Sequence, residues 1–226
     1  MLKSNKHLGF TLSEVLITLG IIGVVSAMTI PSLVKNYQRQ VYVTQLRKVY
    51  NEVGQAVQTY MTDNRLVSMR ESRLVGNKVA LKSFVNNYFK IAKDCNGQYV
   101  GCFASSYAHM NGAPDTSLVG WECDVTATLP SGAAICLSSG QAEQRPADSD
   151  VNGDGKVNDD DVINNAGAAA GAVISVEVDI NGVQGPNMYG RDLFFIDVRP
   201  NGDVAPSPGT ESYLGRIIDD GWEMTY

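Results

Sequence analysis

The sequence predicts an α+β fold in which a long amino-terminal helix packs against a small antiparallel sheet. Three observations carry that prediction. After Glu14, residues 15–34 run without a charge, and helical spacing of apolar residues continues to about Thr62. Residues 172–180 (Ala-Val-Ile-Ser-Val-Glu-Val-Asp-Ile) alternate apolar and polar, and 193–199 (Leu-Phe-Phe-Ile-Asp-Val-Arg) are strand-like. Between those two runs, Asn181-Gly182 and Gly185-Pro186-Asn187 supply turns.

The helix comes first. From Val15 to Val34, at about 1.5 Å per residue, it spans about 30 Å, the thickness of a bilayer's hydrocarbon core. Gly20 and Gly23 weaken it before Pro31, where a kink is expected. Beyond Pro31, Val41, Leu46, Val49, Tyr50, Val53, Val57, Tyr60 and Met61 recur at threes and fours, with Gln38, Arg39, Gln45, Lys48, Glu52, Gln55 and Thr59 on the other face. The first half therefore needs lipid or other subunits. The second half has a single apolar stripe suited to a sheet of its own chain.

One acid interrupts this economy. A carboxylate at the edge of a hydrocarbon core is costly unless something neutralises it, and Glu14 stands there. Ahead of it lie Lys3, Lys6 and Gly9, a residue that suits an extended peptide in a protease cleft.

The stretch Gly9-Phe10-Thr11-Leu12-Ser13-Glu14-Val15-Leu16 resembles the prepilin-type cleavage and methylation motif of type IV pilins and type II secretion pseudopilins. The resemblance is strong over residues 6–34 and only architectural beyond them. It implies a membrane prepilin peptidase that cuts between Gly9 and Phe10 and methylates the new amino terminus. It further implies that the Phe10 amine of one subunit neutralises Glu14 of its neighbour during assembly, and that the fold is pilin-like. Residues 1–9 would be the leader, 10–34 the membrane-spanning and filament-core helix, 35–62 its amphipathic continuation, and 63–226 the head.

Two plainer readings use the same residues. Thr11-x-x-Glu14 fits a capping box, in which Glu14 satisfies helix-end amides. Val25-Ser26-Ala27 is a small-x-small triplet that a signal peptidase could cut, although this apolar run is longer than a signal's and carries an acid near its start. Orientation is contested as well. Lys35, Arg39, Arg47 and Lys48 follow the span, and on the positive-inside rule alone they would hold the head in the cytoplasm. The cysteines and an acidic loop argue for export instead, placing the chain in the inner (cytoplasmic) membrane with its head outside.

Within the head, Val79, Leu81, Phe84, Val85, Tyr88, Phe89 and Ile91 predict a second helix over 78–92. Residues 94–140 are rich in Gly, Ser and Cys and read as loops with short strands. Leu214 to Tyr226, with Trp222, reads as a short helix or edge segment. Cys95, Cys102, Cys123 and Cys136 are an even set in an exported domain, which indicates two disulfides. Three connectivities are open. Cys95–Cys102 with Cys123–Cys136 is favoured because each pair closes a short loop. Zinc is poorly served, since no C-x-x-C occurs and His7 and His109 are the histidines.

The segment Asp150-Val-Asn152-Gly-Asp154-Gly155-Lys156-Val-Asn158-Asp-Asp-Asp161 matches an EF-hand type loop. Asp150, Asn152, Asp154, Asn158 and Asp161 offer side-chain oxygens, Lys156 its carbonyl, and Gly155 the sharp turn. Such hard oxygens favour calcium over magnesium. Residues 148–161 hold six Asp and one Lys, so most of the chain's formal charge of −6 is local to this insertion. The loop resembles that of dockerins: Asp161 stands where Glu is usual, and Pro146 precludes an incoming helix. Dockerins pair two such loops, and one is found here, so the expected role is to pin a surface insertion. Asp179-Ile-Asn181-Gly182 resembles the start of another ion loop but lacks the remaining ligands and reads as a hairpin turn.

No G-x-S-x-G, phosphate-binding glycine loop or Cys/His pairing suggests an enzyme. Asp192 and Asp197 flank a strand and read as solvated edges. The acidic head does not suggest nucleic acid as a partner. The expectation is a structural subunit of a type IV pilus or a type II secretion pseudopilus, with prepilin peptidase and other pilin or pseudopilin subunits as partners and calcium as its ion. The alternative is an exported, membrane-anchored, calcium-dependent binding module of dockerin type.

Overall fold

The computed structural model describes residues 11–115, 123–139, 172–208 and 213–226. The chain divides into two compact units, Met1–Gln40 and Val41–Tyr226.

Helix α1 runs Leu12–Asn64, with Pro31 inside it. In the first unit its large apolar side chains, Leu16, Ile17, Leu19, Ile21 and Ile22 among them, are all exposed. This stretch is strongly apolar, and none of it is buried within the chain. By length and composition it is the helix, among the described residues, that could cross a membrane.

In the second unit the same helix changes character. Val43, Leu46, Val49, Val53, Ala56, Val57 and Met61 are buried, and their threes-and-fours spacing forms one stripe. A 3-10 turn at Met69–Glu71 leads to α2, Lys78–Tyr88. Asn77 caps α2 by accepting the Ala80 amide at 3.0 Å, and Leu81, Phe84 and Val85 form its buried face. The helix is shorter than the 78–92 expected from apolar spacing. Phe89 already has extended backbone (φ −117°, ψ 149°), so Phe89 and Ile91 reach the core from a loop.

The strands are β1 (Lys93–Asp94), β2 (Tyr107–Ala108), β3 (Pro114–Asp115), β4 (Val125–Thr128), β5 (Ala134–Ser139), β6 (Ile174–Asp179), β7 (Leu193–Val198) and β8 (Val204–Pro206). Six of them form one antiparallel sheet in the order β1-β4-β5-β6-β7-β8, while β2 and β3 pair separately. The reading of 94–140 as loops with short strands underrated β5, a six-residue strand near the sheet's centre.

Strand alternation sorts the side chains onto two faces. Ile135, Leu137, Val176, Val178, Phe194 and Ile196 share a core with Leu46, Val49, Val53 and Val57 of α1 and with Leu81 and Phe84 of α2. Each such aliphatic side chain contributes about 1.5–3 kcal/mol by leaving water. On the opposite face, Ala134, Cys136 and Leu193 join Cys95, Cys102, Phe103 and Tyr107. The segment from Cys95 to Asp115 thus covers the side of the sheet away from the helix.

The carboxyl-terminal segment forms α3, Tyr213–Asp219, with Leu214 and Ile217 buried. Tyr50 of α1 meets Trp222 edge-on at 5.5 Å, and its hydroxyl donates to the Val204 carbonyl. Tyr226 donates to the Gly190 carbonyl at 3.0 Å. Gly190 has φ +76°, and a Cβ there would overlap the Tyr213 ring, so two constraints select glycine.

Candidate functional site

Two places in the chain concentrate unusual chemistry. The first is the start of α1. Thr11 presents its amide and its hydroxyl to Glu14 Oε2, at 2.8 Å and 2.7 Å, and the Glu14 amide returns a bond to Thr11 Oγ1 at 3.3 Å. This reciprocal pair is a capping box, so Glu14 serves the helix end from an exposed position. Thr18 Oγ1 donates to the Glu14 carbonyl at 2.9 Å and closes the same turn. A carboxylate carries about four lone-pair sites, so these bonds leave it able to accept from a cation too.

The second is the covered polar face of the sheet. Five acids are buried there or at its margin: Asp115, Glu177, Asp179, Asp192 and Asp197. Three of them accept from tyrosines on covering elements, Tyr99 to Glu177, Tyr107 to Asp179 and Tyr189 to Asp115. Burial pushes the Glu177 carboxyl up to about 7, against the pull of the Tyr99 hydrogen bond. Burial likewise raises Asp179 to about 7, opposed by Tyr107 and reinforced by the neighbouring Asp192. The Tyr99 and Tyr107 hydroxyls are themselves raised, by burial first and then by their carboxylate partners. Asp192 accepts the Asn187 and Met188 amides, each at 2.6 Å.

Two disulfides hold this covering in place. Cys95–Cys102, with Cα atoms 6.2 Å apart, closes the segment that carries Tyr99. Cys123–Cys136, at 5.7 Å, ties the entry to β4 onto β5. No described cysteine is free. Above the acids lies a cavity of about 470 Å³ whose walls include Tyr99, Phe103, Tyr107, Asp115, Val183 and Asn187. His109 stacks on Tyr189 at 5.1 Å. Among the described residues, no three His, Cys, Asp or Glu side chains converge on a point that could hold a metal.

Residues 4–30 match the family described as the prokaryotic N-terminal methylation motif. The amino terminus is prepilin-type. No curated protein and no solved structure matches the chain. The prepilin-type motif supports a type IV pilin-like chain, a substrate of prepilin peptidase, and with the apolar helix it fits a membrane-anchored pilin. The match ends at residue 30, within the apolar stretch of α1, and the head is outside it.

Gly9 and Phe10 lie outside the described residues, as do the loop ligands Asp150, Asn152, Asp154, Lys156, Asn158 and Asp161 and the insertion 148–161 that carries them. Asp192 and Asp197 depart from the expectation of solvated edges: both are buried. Asp192 takes two backbone amides, and Asp197 takes the hydroxyls of Ser175 and Ser207. The buried tyrosine–carboxylate pairs had one sequence signal. Ser175, Glu177 and Asp179 share the polar side of an alternating strand, but alternation alone does not say whether a loop covers that side.

Proposed function

We propose that the protein is a structural subunit of a type IV pilus or of a type II secretion pseudopilus. Prepilin peptidase would cut the Gly9–Phe10 bond and methylate the Phe10 amine. The apolar half of α1 would then leave the inner membrane and pack with the helices of other subunits. The observation that carries this reading is the unburied apolar stretch of α1, headed by Glu14 and overlapped by the methylation motif.

The chemistry of that step follows from two charges. A freed Phe10 amine is cationic, and Glu14 follows four residues later in the sequence. Two opposite charges in an apolar bundle are tolerable together and costly apart. Pairing the amine of one subunit with Glu14 of the next would set axial register. Within a subunit Glu14 already caps its own helix through Thr11, which fixes the direction of its carboxylate.

In this reading the head lies outside the cytoplasm, where its disulfides persist. Calcium would occupy the loop of Asp150, Asn152, Asp154, Asn158 and Asp161 with the Lys156 carbonyl, whose donor set is all oxygen around the Gly155 turn. Its role would be to order the insertion. The test of the function is physical recovery. Filaments sheared from cells, or from a strain overproducing the secretion machine, should contain the chain. Its confinement to the membrane fraction under those conditions would contradict the proposal.

A further inference from the structure

The segment from Cys95 to Asp115 lies over the polar face of the sheet, and two acids of β6 meet it there. Strand alternation turns Glu177 and Asp179 to that face, where they are 6% and 0% exposed. Tyr99 and Tyr107 of the cover donate to them. One end of the cover is fixed: Cys95 follows β1, its amide donates to the Thr126 carbonyl at 3.0 Å, and its disulfide secures Cys102. Beyond Cys102 the attachments are hydrogen bonds. The Ala108 amide donates to the Asn187 carbonyl at 2.9 Å, the Tyr189 amide to the Ala108 carbonyl at 3.0 Å, and the Tyr189 hydroxyl to Asp115.

The neighbouring strands offer neither acid of β6 a cation. In the ladder Glu177 stands between Cys136 and Phe195, and Asp179 between Ala134 and Leu193. The other titratable groups around them are Asp192 in the turn before β7, Asp115 on the cover, and His109, which stacks on Tyr189. Asp197 lies further along the same face with Ser175 and Ser207. Two cations stand at the margin: Lys93, whose Nζ donates to the Gly101 carbonyl at 2.7 Å, and Arg191 in the turn. Neither is among the influences on the two carboxyls. Those are burial, the two tyrosines and, for Asp179, Asp192 with the Asn181 and Gly182 amides.

We infer that the Tyr99–Glu177 and Tyr107–Asp179 pairs form a proton-controlled latch, which holds the cover shut while the carboxyls are protonated and releases it when they ionise. The cavity of about 470 Å³ that Tyr99 and Tyr107 line would widen on release. With the cover shut, burial holds both carboxyls at about 7. With the cover lifted, they return to water and to the ordinary carboxylate range. Between those values the shut form holds more protons, so raising the pH favours the lifted form. The limit is about tenfold per pH unit for each carboxyl, and the effect levels off once both are ionised in the shut form. The tyrosine bonds oppose release, because they favour the charged acids, and burial outweighs them.

The test is amide hydrogen exchange on the full chain in detergent micelles with EGTA, from about pH 5 to about pH 8.5, each rate divided by the intrinsic rate at that pH. Protection over residues 99–108 should fall about tenfold or more across this range, while the β5–β6 ladder stays protected. Glu177→Gln/Asp179→Asn keeps both acceptors and removes the titration, so its protection over 99–108 should not change with pH. Each single variant, Glu177→Gln or Asp179→Asn, should lose about half of the dependence, which keeps the latch testable if the double variant does not fold. Wild-type protection over 99–108 that is constant with pH, or an undiminished dependence in both single variants, would overturn the latch. So would a parallel loss of protection in β5 and β6, since the whole head would then be opening. None of these outcomes touches leader processing, so the filament reading stands or falls separately.

Discussion

The Tyr99 hydroxyl donates to the Glu177 carboxylate from a loop 78 residues earlier in the chain, and this bond joins the disulfide-closed covering segment to the polar face of β6. The acid is buried, so its partner is what makes that burial tolerable. Tyr99→Phe keeps the ring and deletes the donor. It should destabilise the head by about 1–3 kcal/mol in urea titration, because a buried acceptor loses its partner. A midpoint equal to wild type would show that the pair does not hold the segment down.

Asp197 predicts a pH dependence. It is buried between Ser175 and Ser207, with their hydroxyls 3.3 Å and 2.5 Å from its Oδ1. Burial raises its carboxyl above the ordinary range, while the Ser207 and Ser175 bonds and Arg199 pull it back. In the unfolded chain it ionises at the ordinary value, and in the folded chain only at higher pH. Between those two values the folded state holds more protons, so stability falls as pH rises through that window and levels off above it. Glu177 acts in the same direction. In EGTA, Asp197→Asn should reduce this slope without abolishing it. An identical slope in the variant would contradict the assignment.

The disulfides close loops with sequence separations of 7 and 13. On the loop-entropy account, Cys123→Ala/Cys136→Ala should cost about 3 kcal/mol and Cys95→Ala/Cys102→Ala about 2 kcal/mol. Chemical denaturation of the folded variants checks both values. The reverse ranking would mean that the covering segment depends more on its own bridge than chain entropy allows.

Glu14 separates processing from assembly. Glu14→Val removes the carboxylate but leaves Gly9 and Phe10 untouched, so the leader should still be removed while incorporation into filaments falls sharply. The capping box supplies a control. Glu14→Gln keeps a side-chain acceptor for Thr11 but loses the charge, and it too should fail to assemble. Normal assembly of Glu14→Gln would reduce Glu14 to a helix cap.

How much of this was legible in the sequence depends on which force positions each residue. The buried stripe Leu46, Val49, Val53, Val57 and Met61 was readable because helical periodicity and burial coincide. The strand 174–179 followed from alternation, and 193–198 from its strand-like run of apolar residues. β5 was obscured because Ala134 and Cys136 face one core and Ile135 and Leu137 the other, which blurs the polar–apolar alternation. Asp192 and Asp197 were misjudged because a carboxylate's burial depends on donors the chain brings from elsewhere, here backbone amides and serine hydroxyls. Glu14 stood out from sequence because a charge beside an apolar run conflicts with its surroundings wherever the rest of the chain folds.

The most direct measurement of the central claim is the mature amino terminus, read by mass spectrometry on protein recovered from cells that make prepilin peptidase. The account predicts a chain beginning at Phe10 with a methylated amine, and Gly9→Leu should block that product. A chain beginning at Met1 or at Met28 would contradict it.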